Sequence, residues 1–222
     1  MSEIANTIHQ LHASVPADVR IVAVSKFHPV EQLREAYDAG QRIFGESRQQ
    51  ELLQKIPQMP QDVAWHFIGH LQTNKVRSIV GKVAMIESVD TERLLSIIDA
   101  ESVRAGVRTS VLMQLHVARE ETKFGFTPGE LLDYFASGRH RMLQATDLRG
   151  VMGMASNTDD TARIRADFDA IAATFRTIRT AHPELTAFDT VSMGMTHDYR
   201  IAIEAGSNMV RIGTAIFGER DY

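Results

Sequence analysis

The sequence predicts a closed (β/α)8 barrel on three observations. Short β-rich runs alternate with helical patterns along the chain, the signature of βαβ units on a parallel sheet. Eight such runs occur, with no shift in composition between them. No run is followed by the glycine pattern of a dinucleotide site or a phosphate-binding loop, so an open doubly wound sheet is the second choice. The runs span residues 20–26, 42–47, 64–69, 83–89, 109–117, 148–156, 187–195 and 208–218.

The segments between the runs carry helical periodicity. In PVEQLREAYDAG, Val30, Leu33 and Tyr37 share a face, with Pro29 before them and Gly40 after. TERLLSIIDAESVRAG has Thr91 as N-cap and Gly106 as stop. In 159–183, Ile164, Phe168, Ile171 and Phe175 form one stripe. Residues 2–14 form an extra helix ahead of the repeat. The expected organisation is one barrel domain over 1–222, with tight loops, because ~250 residues are usual for this fold.

Composition narrows the function. The 222 residues are 44% hydrophobic and 23% charged, with a net charge of -4 and a pI of about 6.1. No basic excess suits nucleic acid or an anionic membrane. The chain has no cysteine, so neither disulfide nor thiolate chemistry is available. The N-terminus lacks the apolar core of a signal peptide, and no run approaches the ~20 apolar residues of a membrane helix. The expectation is a cytoplasmic protein.

Active sites of this fold gather at the C-terminal ends of strands. The first strand ends in RIVAVSK. Lys26 there is either a snorkelling surface lysine or a partly desolvated amine whose lowered pKa makes it nucleophilic. Val22, Val24 and Lys26 share one parity, and periodicity leaves open which parity faces inward. TVSMGMTHD brings Ser192, Gly194 and Thr196 to the seventh strand end, and VRIGTAIFG brings Arg211, Gly213 and Thr214 to the eighth. Glycine admits close backbone N–H approach and hydroxyls add donors, so these two ends, where barrels often bind phosphate, favour a phosphate site. His66 and His70 in HFIGHLQTNK have no carboxylate or cysteine near them in sequence, which argues against zinc. Lys123 reads as a solvated loop lysine. Of the ten methionines, Met152, Met154, Met193 and Met195 fall near the expected mouth.

The segments AVSKFHP, AGQRIFGESRQQE, WHFIGHLQTNK, SVLMQLHVARE with ETKFGF, RGVMGMA, SMGMTHDYRIAIEAGSNMVRIGTAIFG and RDY, in order from about residue 19, resemble the pyridoxal phosphate homeostasis family. The resemblance implies a type III pyridoxal 5'-phosphate (PLP) fold similar to the N-terminal domain of alanine racemase. It implies Lys26 as the Schiff-base lysine. Ser192, Gly213 and Thr214 would be phosphate ligands, aided by backbone near Met193 and Gly194, and Arg211 the partner of the pyridine nitrogen. Ser47 and Met154 are further candidates beside the cofactor. Ser47 stands where the family usually has asparagine, His28 where many members carry a second lysine, and His70 where proline is frequent.

Three functions compete. The resemblance implies a non-catalytic PLP carrier acting in vitamin B6 and amino-acid homeostasis, monomeric, with PLP-dependent apo-enzymes as potential recipients. A racemase of this fold would need a tyrosine base from a second domain, for which the chain has no room; Tyr37, Tyr134 and Tyr199 fall in predicted helices and Tyr222 is the last residue. A Schiff-base aldolase on a phosphorylated substrate would explain Lys26 and the phosphate site, but needs an acid/base pair for which only Glu46 and Glu87 stand at strand ends.

Overall fold

The computed structural model describes residues 2–118 and 124–219. In chain order the elements are α1 (Glu3–Ser14), β1 (Arg20–Val24), α2 (Val30–Asp38), β2 (Ile43–Glu46), α3 (Gln49–Lys55), β3 (Ala64–Phe67), α4 (Val76–Ile79), β4 (Met85–Val89), α5 (Glu92–Ala105), β5 (Thr109–Leu115), α6 (Pro128–Ala136), β6 (Thr146–Gly153), α7 (Thr161–Ala181), β7 (Thr190–Ser192), α8 (Tyr199–Glu204), β8 (Met209–Ile212) and α9 (Thr214–Phe217). The strands close a barrel in sequence order, every pair parallel. Closure pairs β1 with β8 and leaves the sheet without an edge.

Several helices are fixed by local signals. The Ser2 hydroxyl accepts from the Ala5 N–H at the start of α1. Thr91 caps α5 as expected, accepting from Leu94 N–H, and Gly106 ends it in the left-handed region. Thr127 and Glu130 form a reciprocal capping box at α6. The α7 stripe of Ile164, Phe168, Ile171 and Phe175 is buried against the barrel wall. Full burial of such a side chain is worth about 1.5–3 kcal/mol each. None of the described helices is long and apolar enough to cross a membrane.

All eight runs are strands, and several stop earlier than expected. β1 stops at Val24, so Lys26 sits in the turn beyond it. β7 stops at Ser192 rather than at 195. β8 stops at Ile212, and Thr214–Phe217, read as strand, is helical. The run NMVRIGTAIFG is apolar throughout, and periodicity cannot separate a strand from a helix within it; Gly213 marks the break.

The register settles which parity faces inward. Glu87 on β4 meets Ser192 on β7 and Arg211 on β8. Strands that are not neighbours can touch only through the barrel interior. Val22 lies level with Arg211, and Val24 is level with Gly45, which is level with His66. Val22 and Val24 therefore face inward, and the turn carrying Lys26 follows them at the C-terminal end of β1. Ile21 and Ala23 join the core between sheet and helices. Met85, Leu112 and Met152 form a small apolar cluster of their own inside the barrel.

Candidate functional site

Lys26 is half-buried, in a turn between Ser25 and Phe27. Phe27 has φ of 69°, the one positive φ at a non-glycine among the described residues. A left-handed phenylalanine is uncommon and must be held by its surroundings. Three groups hold it. The Phe27 N–H donates to Glu51 Oε1 at 2.5 Å. The Arg48 guanidinium lies 4.5 Å from the centroid of the Phe27 ring. Lys55, buried on α3, donates to the Ser25 carbonyl (2.8 Å), Glu46 Oε1 (2.8 Å) and Glu51 Oε1 (2.6 Å). Ser25 Oγ also donates to Glu46 Oε1 at 2.6 Å. Lys55 thus clamps both sides of the turn that carries Lys26.

Arg211 is 4% exposed on β8. Its Nη1 donates to the Ser192 carbonyl (2.9 Å) and to Ser192 Oγ (2.6 Å), and its Nη2 to the Gly153 carbonyl (2.8 Å). Glu87 Oε2 lies 3.7 Å from Nη1 and accepts from Ser192 Oγ at 2.6 Å. Glu87 Oε1 lies 2.7 Å from His66 Nδ1. Burial pushes the Glu87 carboxyl up, but the His66 hydrogen bond and charge, Arg211 and Ser192 outweigh it, leaving the group below its ordinary value. Burial lowers Arg211 against the opposing pull of Glu87 and Asp198; the guanidinium still stays charged at neutral pH. One buried cation is thereby fixed in the barrel by three strands.

Gly194 and Gly213 line the last two strand ends. Gly194 has φ of 98°, and a Cβ there would stand 2.6 Å from that of Ala202. At Gly213 a Cβ would come within 3.2 Å of Val24 Cβ. Thr214 is exposed and opens α9, whose first N–H groups have no acceptor within the helix. The Met193 N–H is used by the Met209 carbonyl at 3.1 Å and its side chain is buried. The resemblance implies help from backbone near Met193 and Gly194, and of these the Met193 N–H is engaged in the β7–β8 pairing. Met154 is half-buried just past β6, and Ser47 just past β2. Ser47 shares a groove of about 250 Å³ with Arg48, His70 and Lys75. Gly69 packs on the Ser47 backbone so closely that a Cβ would stand 2.2 Å from the Ser47 carbonyl oxygen.

Several sequence readings change. His66 and His70 each gain a carboxylate partner that the local sequence did not offer: Glu87 for the first and Asp90, at 2.7 Å, for the second. Both carboxylates come from β4 and its end, which the β3–β4 pairing brings alongside. Glu46 and Glu87, the pair an aldolase would need, point to opposite sides of the wall. Glu46 faces Lys55 on α3 and Glu87 is enclosed by His66, Ser192 and Arg211. Lys55 and Glu51 are not among the candidates that the sequence yields; the signal is a lysine at the end of a short amphipathic helix with Glu51 one turn before it. His116 was also missed. It follows Leu112 and Gln114 on the inward parity of β5, and its Nδ1 is buried without a hydrogen-bond partner among the described residues. Lys123 and Tyr222 lie outside the described residues, as does the RDY segment.

This set suits a phosphorylated carbonyl compound: a lysine in the turn after β1, a fixed guanidinium on the neighbouring β8 and two glycine turns with a hydroxyl. The chain matches the family "Alanine racemase, N-terminal domain" over residues 1–221. Alanine racemase of Clostridium difficile 630 shares the fold with a TM-score of 0.78 at 14% identity, over 99% of this chain and 57% of that one. The pyridoxal phosphate homeostasis protein of Pasteurella multocida is 38% identical over 207 residues, 92% of this chain and 88% of its own length. PipY of Synechococcus elongatus PCC7942, solved with PLP bound, is 32% identical with a TM-score of 0.88, over 97% of this chain and 100% of that one. The chain belongs to the alanine racemase N-terminal domain family and, within it, to the pyridoxal phosphate homeostasis proteins.

Proposed function

We propose that this protein binds PLP reversibly at the barrel mouth and serves intracellular PLP and amino-acid homeostasis without turning over a substrate. The observation that carries the reading is a buried and rigidly held Arg211 on β8, the neighbour of the strand that Lys26 follows, in a chain whose relative PipY was solved with PLP bound. The residues present fit the group. Lys26 supplies the amine for the aldehyde carbon. Arg211 would face the ring nitrogen. Gly213, Thr214 and Gly194 would hold the phosphate, and His116 has a ring nitrogen without a hydrogen-bond partner among the described residues. Met154 and Ser47 would border the ring. The Ser192 hydroxyl is engaged by Glu87 and Arg211, so its share in phosphate binding requires it to turn from Glu87.

When bound, the cofactor supplies a conjugated ring that can draw electrons from carbon next to an amine. A protonated ring nitrogen makes that draw strong, and a fixed guanidinium disfavours the proton. Arg211 keeps the group mild, which suits a carrier. Glu87 keeps Arg211 in place and neutralises part of its charge. The protein works as a single-barrel monomer in the cytoplasm, and PLP-dependent apo-enzymes are the natural recipients.

Borohydride reduction followed by peptide mass spectrometry tests the attachment. A pyridoxyl group on the Lys26 peptide is expected; its appearance on Lys55 or Lys75 would overturn the assignment. Ser192→Ala and Thr214→Ala separate the phosphate roles. Loss of a donor to a charged acceptor is worth about 1.5–3 kcal/mol. Thr214→Ala should weaken PLP far more than unphosphorylated pyridoxal. Equal weakening of both ligands by Ser192→Ala would assign that hydroxyl to the Arg211 network. In heavy water, the PLP-loaded protein should exchange the α-hydrogen of L-amino acids far below ~1 s⁻¹, the low end of ordinary enzymes; exchange at or above that rate would make it an enzyme.

A further inference from the structure

The opposite end of the barrel carries a second group of chemically capable side chains. His140 lies in a 3-10 turn ahead of β6, and His182 and Glu184 lie in the connection from α7 to β7. Both segments precede strand starts, so the group is on the face away from Lys26. One ring nitrogen from each histidine and one Glu184 oxygen all lie within 4.8 Å of one another. His140 Nε2 is 3.8 Å and His182 Nδ1 3.4 Å from Glu184 Oε1.

The second observation is His140 itself. Its side chain is 1% exposed, and neither Nδ1 nor Nε2 has a hydrogen-bond partner among the described residues. A buried imidazole with both nitrogens unsatisfied is unfavourable and calls for an explanation. Its ring meets that of His182 edge-on at 4.8 Å, and the Phe135 ring packs on both. Burial, aided by His182 and Arg141, holds His140 below its ordinary pKa.

We propose that His140, His182 and Glu184 form a binding site for a divalent transition-metal ion that favours imidazole, with zinc as its representative. Two imidazoles and one carboxylate suit zinc, copper or nickel and not calcium or magnesium. Ligand atoms of a tetrahedral zinc site stand about 3.3–3.6 Å apart, from bonds of about 2.0–2.2 Å. Two pairs here already approach that spacing, and a small turn of either ring closes the third. Arg141 donates to Glu184 Oε1 at 2.9 Å and competes with the ion. Its side chain is mostly exposed and can swing away. The ion would staple the α6–β6 connection to the α7–β7 connection, a structural role consistent with this end of the barrel. This proposal does not depend on PLP binding.

The test is titration of the chelator-stripped full-length protein with zinc, read by calorimetry and by thermal unfolding, and with cobalt, read by its visible d–d absorption. One ion per chain is expected, with a rise in Tm through linkage and the intense band of four-coordinate cobalt. Glu184→Gln, at a largely exposed position, and His182→Asn should each weaken zinc binding at least ~10-fold, the effect expected around metal ligands. Arg141→Ala should tighten it severalfold. The proposal is overturned if the wild-type protein takes up no stoichiometric zinc, or if Glu184→Gln and His182→Asn bind as tightly as wild type, or if Arg141→Ala binds more weakly.

Discussion

Two buried charged clusters flank the barrel wall beside the mouth, and they are built in opposite ways. The inner one joins His66, Glu87, Ser192 and Arg211 from four strands; apart from two backbone carbonyls that accept from Arg211, its contacts run between side chains. The outer one centres on Lys55 of α3 and works on backbone: it holds the Ser25 carbonyl directly and the Phe27 N–H through Glu51. The inner cluster fixes a side chain, Arg211. The outer cluster fixes a turn, the one that presents Lys26. Their carboxylates also diverge. Partners hold Glu87 below its ordinary value in spite of burial. Burial holds Glu46 above its own, Lys55 and Ser25 offsetting only part of it, and Glu46 Oε2 is without a hydrogen-bond partner among the described residues. The difference teaches that a rigid barrel interior can aim a cation from within, through carbonyls and side chains of neighbouring strands, whereas a lysine beyond a strand end has its turn tied from outside.

The largest effect that can break this comparison is expected from Lys55→Met. Removing one partner of a buried ion pair costs about 3–5 kcal/mol, and here it also frees the Lys26 turn. Urea unfolding should show the loss, and PLP affinity should fall with it. Full affinity in a destabilised variant would remove the clamp from the site.

Glu87→Gln comes next. It trades hydrogen bonds to a charged group for neutral ones, worth about 1.5–3 kcal/mol, and leaves Arg211 without its counter-charge. Unfolding should measure that loss. The absorption spectrum of bound PLP should shift because the field at the ring nitrogen changes; an unchanged spectrum would mean that Glu87 does not act through Arg211.

The third effect is a contrast in sign with pH. Glu87 titrates lower in the folded chain than its ordinary 4.5, so its contribution is present above pH 4.5 and is lost as pH falls through the folded value. Glu46 titrates higher than 4.5 when folded, so its contribution is present below pH 4.5 and is lost as pH rises through the folded value. Stability measured against pH should therefore show the Glu87→Gln deficit shrinking toward acid, and the Glu46→Gln variant comparing better with wild type toward neutral pH. Slopes of equal sign would erase the distinction between the clusters.

The smallest effect is expected from Phe27→Gly. Relief of a left-handed phenylalanine is worth about 1–3 kcal/mol. The greater chain entropy of glycine, about 0.5–1 kcal/mol, and the lost stacking on Arg48 oppose it. Stability should change by no more than about 1 kcal/mol. A loss well beyond that would show that the ring, and not the backbone, organises the turn.

Much of this architecture was legible in the sequence. The strand order follows from alternating apolar runs and helical stripes, and the α5 caps at Thr91 and Gly106 follow from residue type. Lys26 and Arg211 were visible because each is a charge where an aliphatic residue would extend the strand. Strand ends were less legible, because closure and register decide where pairing stops; hence Thr214–Phe217 is helical and Lys26 stands two residues past β1. The Lys55 clamp and the His66–Glu87 link were hidden for a different reason. Apart from the local Lys55–Glu51 pair, they join residues 9 to 30 positions apart across packed elements, and no local pattern encodes a partner at that distance.

Pairing of β1 with β8 has a consequence for synthesis of the chain. Lys26 leaves the ribosome early, while Arg211, Gly213 and Thr214 arrive near the end. At about 5–20 residues per second the interval is on the order of ten to forty seconds. Throughout it β1 lacks the β8 strand that it pairs with and the Arg211 guanidinium that β8 carries. The closed barrel therefore forms only once residues 209–212 have emerged.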